Sequence, residues 1–406
     1  MNILFVSHRF PFPPTRGDKI RSFNMVRHLH ESGHRVTVAS IVRSDEEEQE
    51  IQGIKDHCHE FLYSRTNETW QKLRMVGCLL TRTPSSMGYF YSRDLQARIN
   101  RKLAEEKFDL IVVFSSSAAQ YVEHVDDIPK ILDYCDMDSQ KWLAYAGFKK
   151  WPFSWGYWLE GTKLEAEEKR LARKFDVGVC ATDFEVETLD HFNTGIESAF
   201  FPNGVDSEFF KPTDGSFKKH NIGFVGRMDY YPNEACVISF CQKVLPILRD
   251  KYPDITFTVV GAEPPASVLA MGDLPGVTVT GTVDDVRTYV RGSEVVVAPL
   301  EIARGTQNKI LEGMALGVPV ISSRLAARGV DAVVGEHILA ASTPEEYAEC
   351  VSRIFDSADE REKFSKAGRE RVLSHHNWTR AMSLFDEIID GCMKRHSADR
   401  ADQGKN

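Results

Sequence analysis

The strongest constraint on this chain is a repeated alternation of short apolar runs with helical-period segments. Asn2 to Val6 reads as a short buried strand. Gly17 to Glu31 then places Ile20, Phe23, Met25, Val26 and Leu29 at roughly helical spacing, and Arg35 to Val42 reads as a strand again. Such a βαβ opening belongs to a doubly wound parallel sheet, whose ligands sit where strands end and helices begin. Further strands are expected at Leu110 to Phe114, Ile131 to Asp133 and Val177 to Ala181, with a Glu-, Lys- and Arg-rich helix at about Leu159 to Lys174.

Phe201 to Gly215, punctuated by Pro202, Asn203, Gly204, Pro212 and Gly215, breaks the alternation and reads as a linker. A second series follows, with strands at Asn221 to Val225, Ile255 to Val260, Val277 to Thr280, Val295 to Ala298 and Pro319 to Ser322. Helices are expected at Asn233 to Arg249 and Thr306 to Leu316. The expectation is therefore two α/β domains, residues 1–203 and 204–377. A terminal helix over 378–395 is expected to pack back on the first domain, and 396–406 to form a disordered tail.

With 406 residues the chain can bury sizeable cores, and a net charge of −9 argues against a general nucleic-acid binder. The eight cysteines form no CxxC pair and read as reduced, core-filling thiols, which favours a cytoplasmic setting. No signal-peptide pattern opens the sequence, and no apolar run is long enough to span a membrane.

Arg304 to Pro319, RGTQNKILEGMALGVP, is the most specific stretch. Gly305 and Thr306 precede a helix, so free backbone amides would face a phosphate, while Lys309 and Glu312 share one face of that helix. A cation for phosphate and a carboxylate for a ribose hydroxyl pair suit a nucleoside diphosphate. The same spacing fits an N-capped amphipathic helix with solvated side chains. In GFVGRMDYYPN, from Gly223, a strand ends at Gly226 and Arg227 follows, where a guanidinium could clamp a pyrophosphate or serve as ordinary surface charge.

The motifs PNGVD at 202–206, GFVGRM at 223–228, VVGAEP at 259–264, VTGTVDDV at 279–286 and PLEIARGTQNKILEGMALGVPV at 299–320 resemble the family 4 retaining glycosyltransferases. That resemblance implies the α/β GT-B fold, two Rossmann-like doubly wound domains facing a cleft. RFPFPPTRGDKIRSFNMVRHL at 9–29, DYCDMDSQKWLAYA at 133–146 and WPFSWGYWLEG at 151–161 resemble the sugar transferases associated with PEP-CTERM exopolysaccharide systems.

The resemblance implies that Arg227 and Lys309 neutralise the donor's diphosphate and that Glu312 binds its ribose. It implies donor contacts from Gly226, Arg304, Gly305, Thr306 and Gln307, a base site at Gly281, Thr282 and Val283, and an approach by Gly17 from the first domain. The expected donor is a UDP- or GDP-sugar acting as co-substrate, with no cofactor. The expected reaction moves a hexose with retention to a polyprenyl-linked or glycan acceptor. The family's paired glutamates would place one at 304, where this chain has Arg304, and the lysine that often follows the arginine motif is replaced by Tyr230, Tyr231 and Pro232. A nucleotide-sugar epimerase and a non-catalytic sugar-nucleotide binding subunit are the alternatives.

On the acceptor side His8, Asp136 and Trp142 are candidates. Asp136 and Asp138 spell DxD, a metal motif elsewhere, but Asp138 is placed to cap a helix from Ser139, and no metal is expected. Residues 142–158 hold eight aromatics, fitting a sugar-stacking wall, a membrane interface or the core of a hairpin. Residues 71–103 carry seven basic side chains against Asp94 alone, which fits anionic headgroups at the inner membrane face or a solvated helix pair.

Overall fold

The computed structural model describes residues 1–213 and 215–403 of the chain. It divides into two units, one comprising Met1–Phe201 with the chain from Met382 onward, the other Pro202–Ala381. The division therefore falls after residue 201, where the sequence placed it after 203, and the second unit ends at 381 rather than 377.

The first unit is built on seven strands: β1 (Asn2–Ser7), β2 (Arg35–Val42), β3 (Glu60–Arg65), β4 (Leu110–Phe114), β5 (Lys130–Cys135), β6 (Val177–Cys180) and β7 (Glu197–Phe200). All neighbours are parallel, in the order β3-β2-β1-β4-β5-β6-β7. Helices covering both faces explain why β1 and β4 are apolar almost without interruption. Arg21 is the largest fully buried side chain. Its Nε donates to Asp133 Oδ2 at 2.8 Å and its Nη1 to the Phe201 carbonyl at 2.9 Å, tying the Gly17–Glu31 helix to the sheet.

The second unit holds β8 (Asn221–Val225), β9 (Thr256–Val260), β10 (Val277–Val279), β11 (Val295–Ala298), β12 (Val320–Ser323) and β13 (Leu339–Ala341). They form one parallel sheet in the order β10-β9-β8-β11-β12-β13. Residues 202–206, expected in a linker, belong to this unit. Val205 N donates to the His376 carbonyl at 2.8 Å, and His376 Nδ1 lies 3.0 Å from the Asn203 carbonyl.

Three strands escaped the sequence reading: β3, β7 and β13. The edge strand β7 (ESAF) is exposed at both ends and β13 (LAA) has three residues, so neither shows a period. The helix expected over 233–249 is broken into Tyr231–Ser239, a π-helical turn at Phe240–Val244, and Leu245–Lys251.

The terminal helix is longer than expected. It runs Trp378–Gln403, so the tail expected to be disordered from 396 is helical through 403, and residues 404–406 lie outside the described residues. Within the first unit Phe385 is fully buried with its ring 5.2 Å from that of Phe201, and His28 Nε2 sits 2.9 Å from Asp386. All eight cysteines are free, five of them buried. Among the described residues no helix is long and apolar enough to cross a membrane.

Candidate functional site

In the second unit the loops leaving β8, β9 and β10 are laced together by backbone hydrogen bonds. Gly226 N donates to Val260 O at 3.0 Å, Met228 N to Ala262 O at 2.9 Å, and Gly261 N to Gly281 O at 3.2 Å. This is the carboxyl edge of a parallel sheet, where ligands of such folds bind. Gly226 leaves room for the side chains of Asn233 and Lys309: a Cβ there would lie 2.7 Å from Asn233 Nδ2 and 3.1 Å from Lys309 Nζ, so both would have to shift.

Arg227, Lys309 and Gly226 are brought together by Asn233, a buried residue that sequence reasoning missed. Asn233 Nδ2 donates to the Arg227 carbonyl at 2.7 Å, and its Oδ1 accepts from Lys309 Nζ. The ammonium also sits 4.8 Å over the Phe224 ring. Asn233 follows Tyr-Tyr-Pro and reads locally as part of a helix start. Only the return of the 304–319 segment beside β8 brings Lys309 to the Asn233 side-chain oxygen.

Burial dominates the titration of this cluster. It pulls Lys309 down to about 8 and pushes Glu312 up to about 7, their mutual attraction opposing both shifts. Glu312 forms no hydrogen bond or ion pair through its carboxylate among the described residues, so both oxygens can accept. Arg227 is held at 2.9 Å by Asp229 and at 2.8 Å by Glu263, the latter in a left-handed conformation at φ 55°. Two carboxylates thus share that guanidinium.

The helix over the 304–319 segment starts later than expected, at Asn308, and runs to Ala315. Gln307 is its N-cap, yet its side chain makes no capping bond and donates instead to the Arg304 carbonyl at 2.9 Å. Gly305 adopts φ 59°, turning the loop into the helix. Thr306 Oγ1 and Asn308 Oδ1 are buried without hydrogen-bond partners. Orphaned polar atoms beside an uncapped helix start suit a polar ligand. Asn308 is a second residue the sequence reading missed. Thr282 is exposed and Val283 half-exposed beyond Gly281.

The acceptor-side candidates lie in the first unit. His8, at the end of β1, is buried against Phe90, with ring centroids 4.8 Å apart and Nδ1 unpartnered. Burial, aided by Arg9, lowers it to about 4, so it is neutral at ordinary pH. Asp136 is raised to about 7 by burial and by the neighbouring Glu185. Asp138 does not cap the following helix, which spans Asp138–Phe148 with Met137 as N-cap, and pairs with Lys141 instead. The amides of that helix start are met by the buried carboxylates Glu185, at 3.1 Å from Met137 N, and Glu168, at 3.2 Å from Ser139 N. Among the described residues no three His, Cys, Asp or Glu side chains are grouped to hold a metal ion. Gly17 is the exposed first residue of the Gly17–Glu31 helix.

The aromatic stretch splits into two populations. Trp142 stacks on Tyr157 and meets Tyr145 edge-on, each with centroids 5.6 Å apart, whereas Trp151 is 82% and Phe153 69% exposed. The basic surplus of 71–103 is smaller than the sequence suggests. Lys72 pairs with Glu68, Arg98 with Asp94 and Lys102 with Glu60, and Arg74 donates to the Tyr91 carbonyl.

Residues 219–357, inside the second unit, match the family model described as Glycosyl transferases group 1. Sucrose-phosphate synthase from Thermosynechococcus elongatus superposes with a TM-score of 0.71 at 14% identity, over 97% of this chain and 100% of that one. The fold is that of the GT-B glycosyltransferases. Two further GT-B neighbours extend the likeness. HepE of Anabaena, in complex with UDP, gives a TM-score of 0.69 at 13% identity over 96% of this chain and 100% of that one. A mutant of TarM from S. aureus, in complex with Fondaparinux, alpha-GlcNAc-glycerol and UDP, gives 0.67 at 8% identity over 96% and 99%. No curated protein matches the chain.

Proposed function

We propose that this chain is a retaining glycosyltransferase that moves a hexose from a nucleoside diphosphate sugar to a lipid-linked or glycan acceptor in exopolysaccharide assembly. The observation that carries the reading is the Arg227–Asn233–Lys309 cluster, with Glu312 unpaired beside it, inside the segment that matches a glycosyltransferase family. Arg227 and Lys309 stabilise the departing diphosphate, whose charge rises as the glycosidic bond breaks. Glu312 accepts from the ribose hydroxyls, and the orphaned Thr306 and Asn308 atoms face the donor. The acceptor attacks from the leaving group's face, and a donor phosphate oxygen takes its proton, so no protein base and no divalent ion is required.

UDP is the nucleotide to test first, since HepE and TarM are described with UDP and HepE also with UDP-glucose. In a thermal-shift panel of UDP-, GDP- and dTDP-sugars, a UDP-sugar should raise the melting temperature by mass action. The shift should vanish in folded Arg227→Ala and Glu312→Ala. No response to any nucleotide sugar overturns the reading, and interconversion of free donors would favour an epimerase. Binding without transfer or hydrolysis would favour a non-catalytic subunit, and activity abolished by EDTA and restored by Mn²⁺ would overturn metal independence.

An exposed apolar surface of the first unit supports an acceptor held at a membrane. Leu80 is 93%, Trp151 82%, Trp70 72% and Phe153 69% exposed. Lys163 Nζ, donating to Cys78 O at 3.0 Å, sets the end of the Glu68–Cys78 helix beside the Phe153–Ala172 helix. Apolar and aromatic side chains with Arg82, Lys149 and Lys150 nearby in sequence suit the interface of an anionic bilayer. Flotation with anionic vesicles at low salt should carry the protein, and Trp151→Ser with Leu80→Ser should leave it behind.

A further inference from the structure

A cluster of cations at the carboxyl edge of the first sheet is not used by any step above. Arg9 lies two residues beyond β1, Arg43 directly follows β2, Arg16 precedes the Gly17–Glu31 helix and Lys19 sits in its first turn. Asp18 approaches Arg9 Nε at 3.3 Å, and Glu47 is shared between Lys19 at 3.2 Å and Arg43 at 3.1 Å. Four cations thus meet two carboxylates, and the nearby Asp138 is already committed to Lys141.

Several donors in this group are unspent. The Arg16 carbonyl accepts from Ile20 N, but its guanidinium forms no hydrogen bond or ion pair among the described residues. The Nε atoms of Arg9 and Arg43 are buried without a hydrogen-bond partner, the Arg9–Asp18 approach being misaligned for one. Buried donors left unsatisfied cost free energy that a ligand oxygen would recover. Burial lowers the Arg9 pKa against the pull of Asp18, and Arg43 and Arg16 lower it further, as expected of like charges held close. A bound dianion would offset the surplus positive charge and accept several bonds at once, which fits a phosphate better than a carboxylate.

We infer that Arg9, Arg16 and Arg43, at the strand ends of the first unit, form a binding site for a phosphate group. The site stands on this unit alone. Its source rests on the transferase reading: the phosphate is carried either by the acceptor or by the donor diphosphate.

Inorganic phosphate titrated calorimetrically into the full chain, with and without saturating UDP, tests the site and its source. Without UDP, phosphate should bind the unaltered chain and bind about tenfold or more weakly to Arg16→Gln and to Arg43→Gln, with unchanged circular dichroism and melting temperature. Phosphate that binds alongside UDP, with UDP affinity unaltered in both variants, assigns the site to the acceptor. Phosphate that competes with UDP, with UDP affinity reduced in both variants, assigns it to the donor. Absence of phosphate binding, or affinity equal in wild type and both variants, overturns the site. A chain that binds phosphate here but no nucleotide sugar leaves the site standing and removes the transferase reading.

Discussion

Asn233 holds Lys309 in place: the lysine ammonium donates to the Asn233 side-chain oxygen, while the Asn233 amide donates to the Arg227 carbonyl at 2.7 Å. One neutral side chain thus holds the Lys309 ammonium and the Arg227 backbone, the two residues expected to meet a diphosphate. Asn233→Leu should weaken UDP binding about tenfold in calorimetry, since Lys309 loses its orienting acceptor and Arg227 its anchored loop. Unchanged affinity would mean that Asn233 only packs.

Nucleotide binding should peak in a narrow pH window. Glu312, raised to about 7, must ionise to accept from a ribose, and Lys309, lowered to about 8, must stay protonated to meet a phosphate. UDP affinity should therefore rise as pH climbs through 7 and fall as it passes 8. Glu312→Gln should remove the acidic limb from the pH profile and leave the alkaline one.

The same burial makes Glu312 costly to the fold. Its folded pKa lies above the ordinary carboxylate value, so folding favours the neutral form. The penalty is absent below about pH 4.5, grows up to about 7 and is constant above that. Glu312→Gln should raise the melting temperature of the ligand-free protein by a few degrees at pH 8 and leave it unchanged at pH 4.

If Arg227 binds the donor diphosphate as proposed, Glu263 competes with it. It contacts the guanidinium at 2.8 Å from a left-handed backbone position. Glu263→Ala should strengthen UDP binding several-fold, with most of the change in the on-rate. Weaker binding would show that Glu263 orients Arg227 rather than occupying it.

Removing one partner of the buried Arg21–Asp133 pair should be severe. Arg21→Met leaves a carboxylate without compensation and should cost about 3–5 kcal/mol in urea unfolding. The double change Arg21→Met with Asp133→Leu should recover much of that loss.

The motif residues of the site were legible because each rests on a local rule. A strand ending in glycine and arginine and a Lys–Glu pair three apart on one helix need only spacing to be seen, and the apolar β1, β4 and β11 need only composition. Edge strands such as β7 were not legible, because a four-residue strand with polar ends carries no period. Asn233 and the Arg9–Arg16–Arg43 group were not legible either, since Lys309 lies far from Asn233 in sequence and Arg43 lies far from Arg9 and Arg16.

The sequence by itself determined the alternation of strands and helices, the two α/β units and the segment that carries the phosphate-compatible residues. Tertiary structure decided which charges meet. Lys309 lies 76 residues from Asn233 and Arg21 lies 112 from Asp133. Such pairs are set by the order in which parallel strands lie in the sheet. Hydrophobic period reports the buried face of an element, whereas strand order determines which strand ends become neighbours.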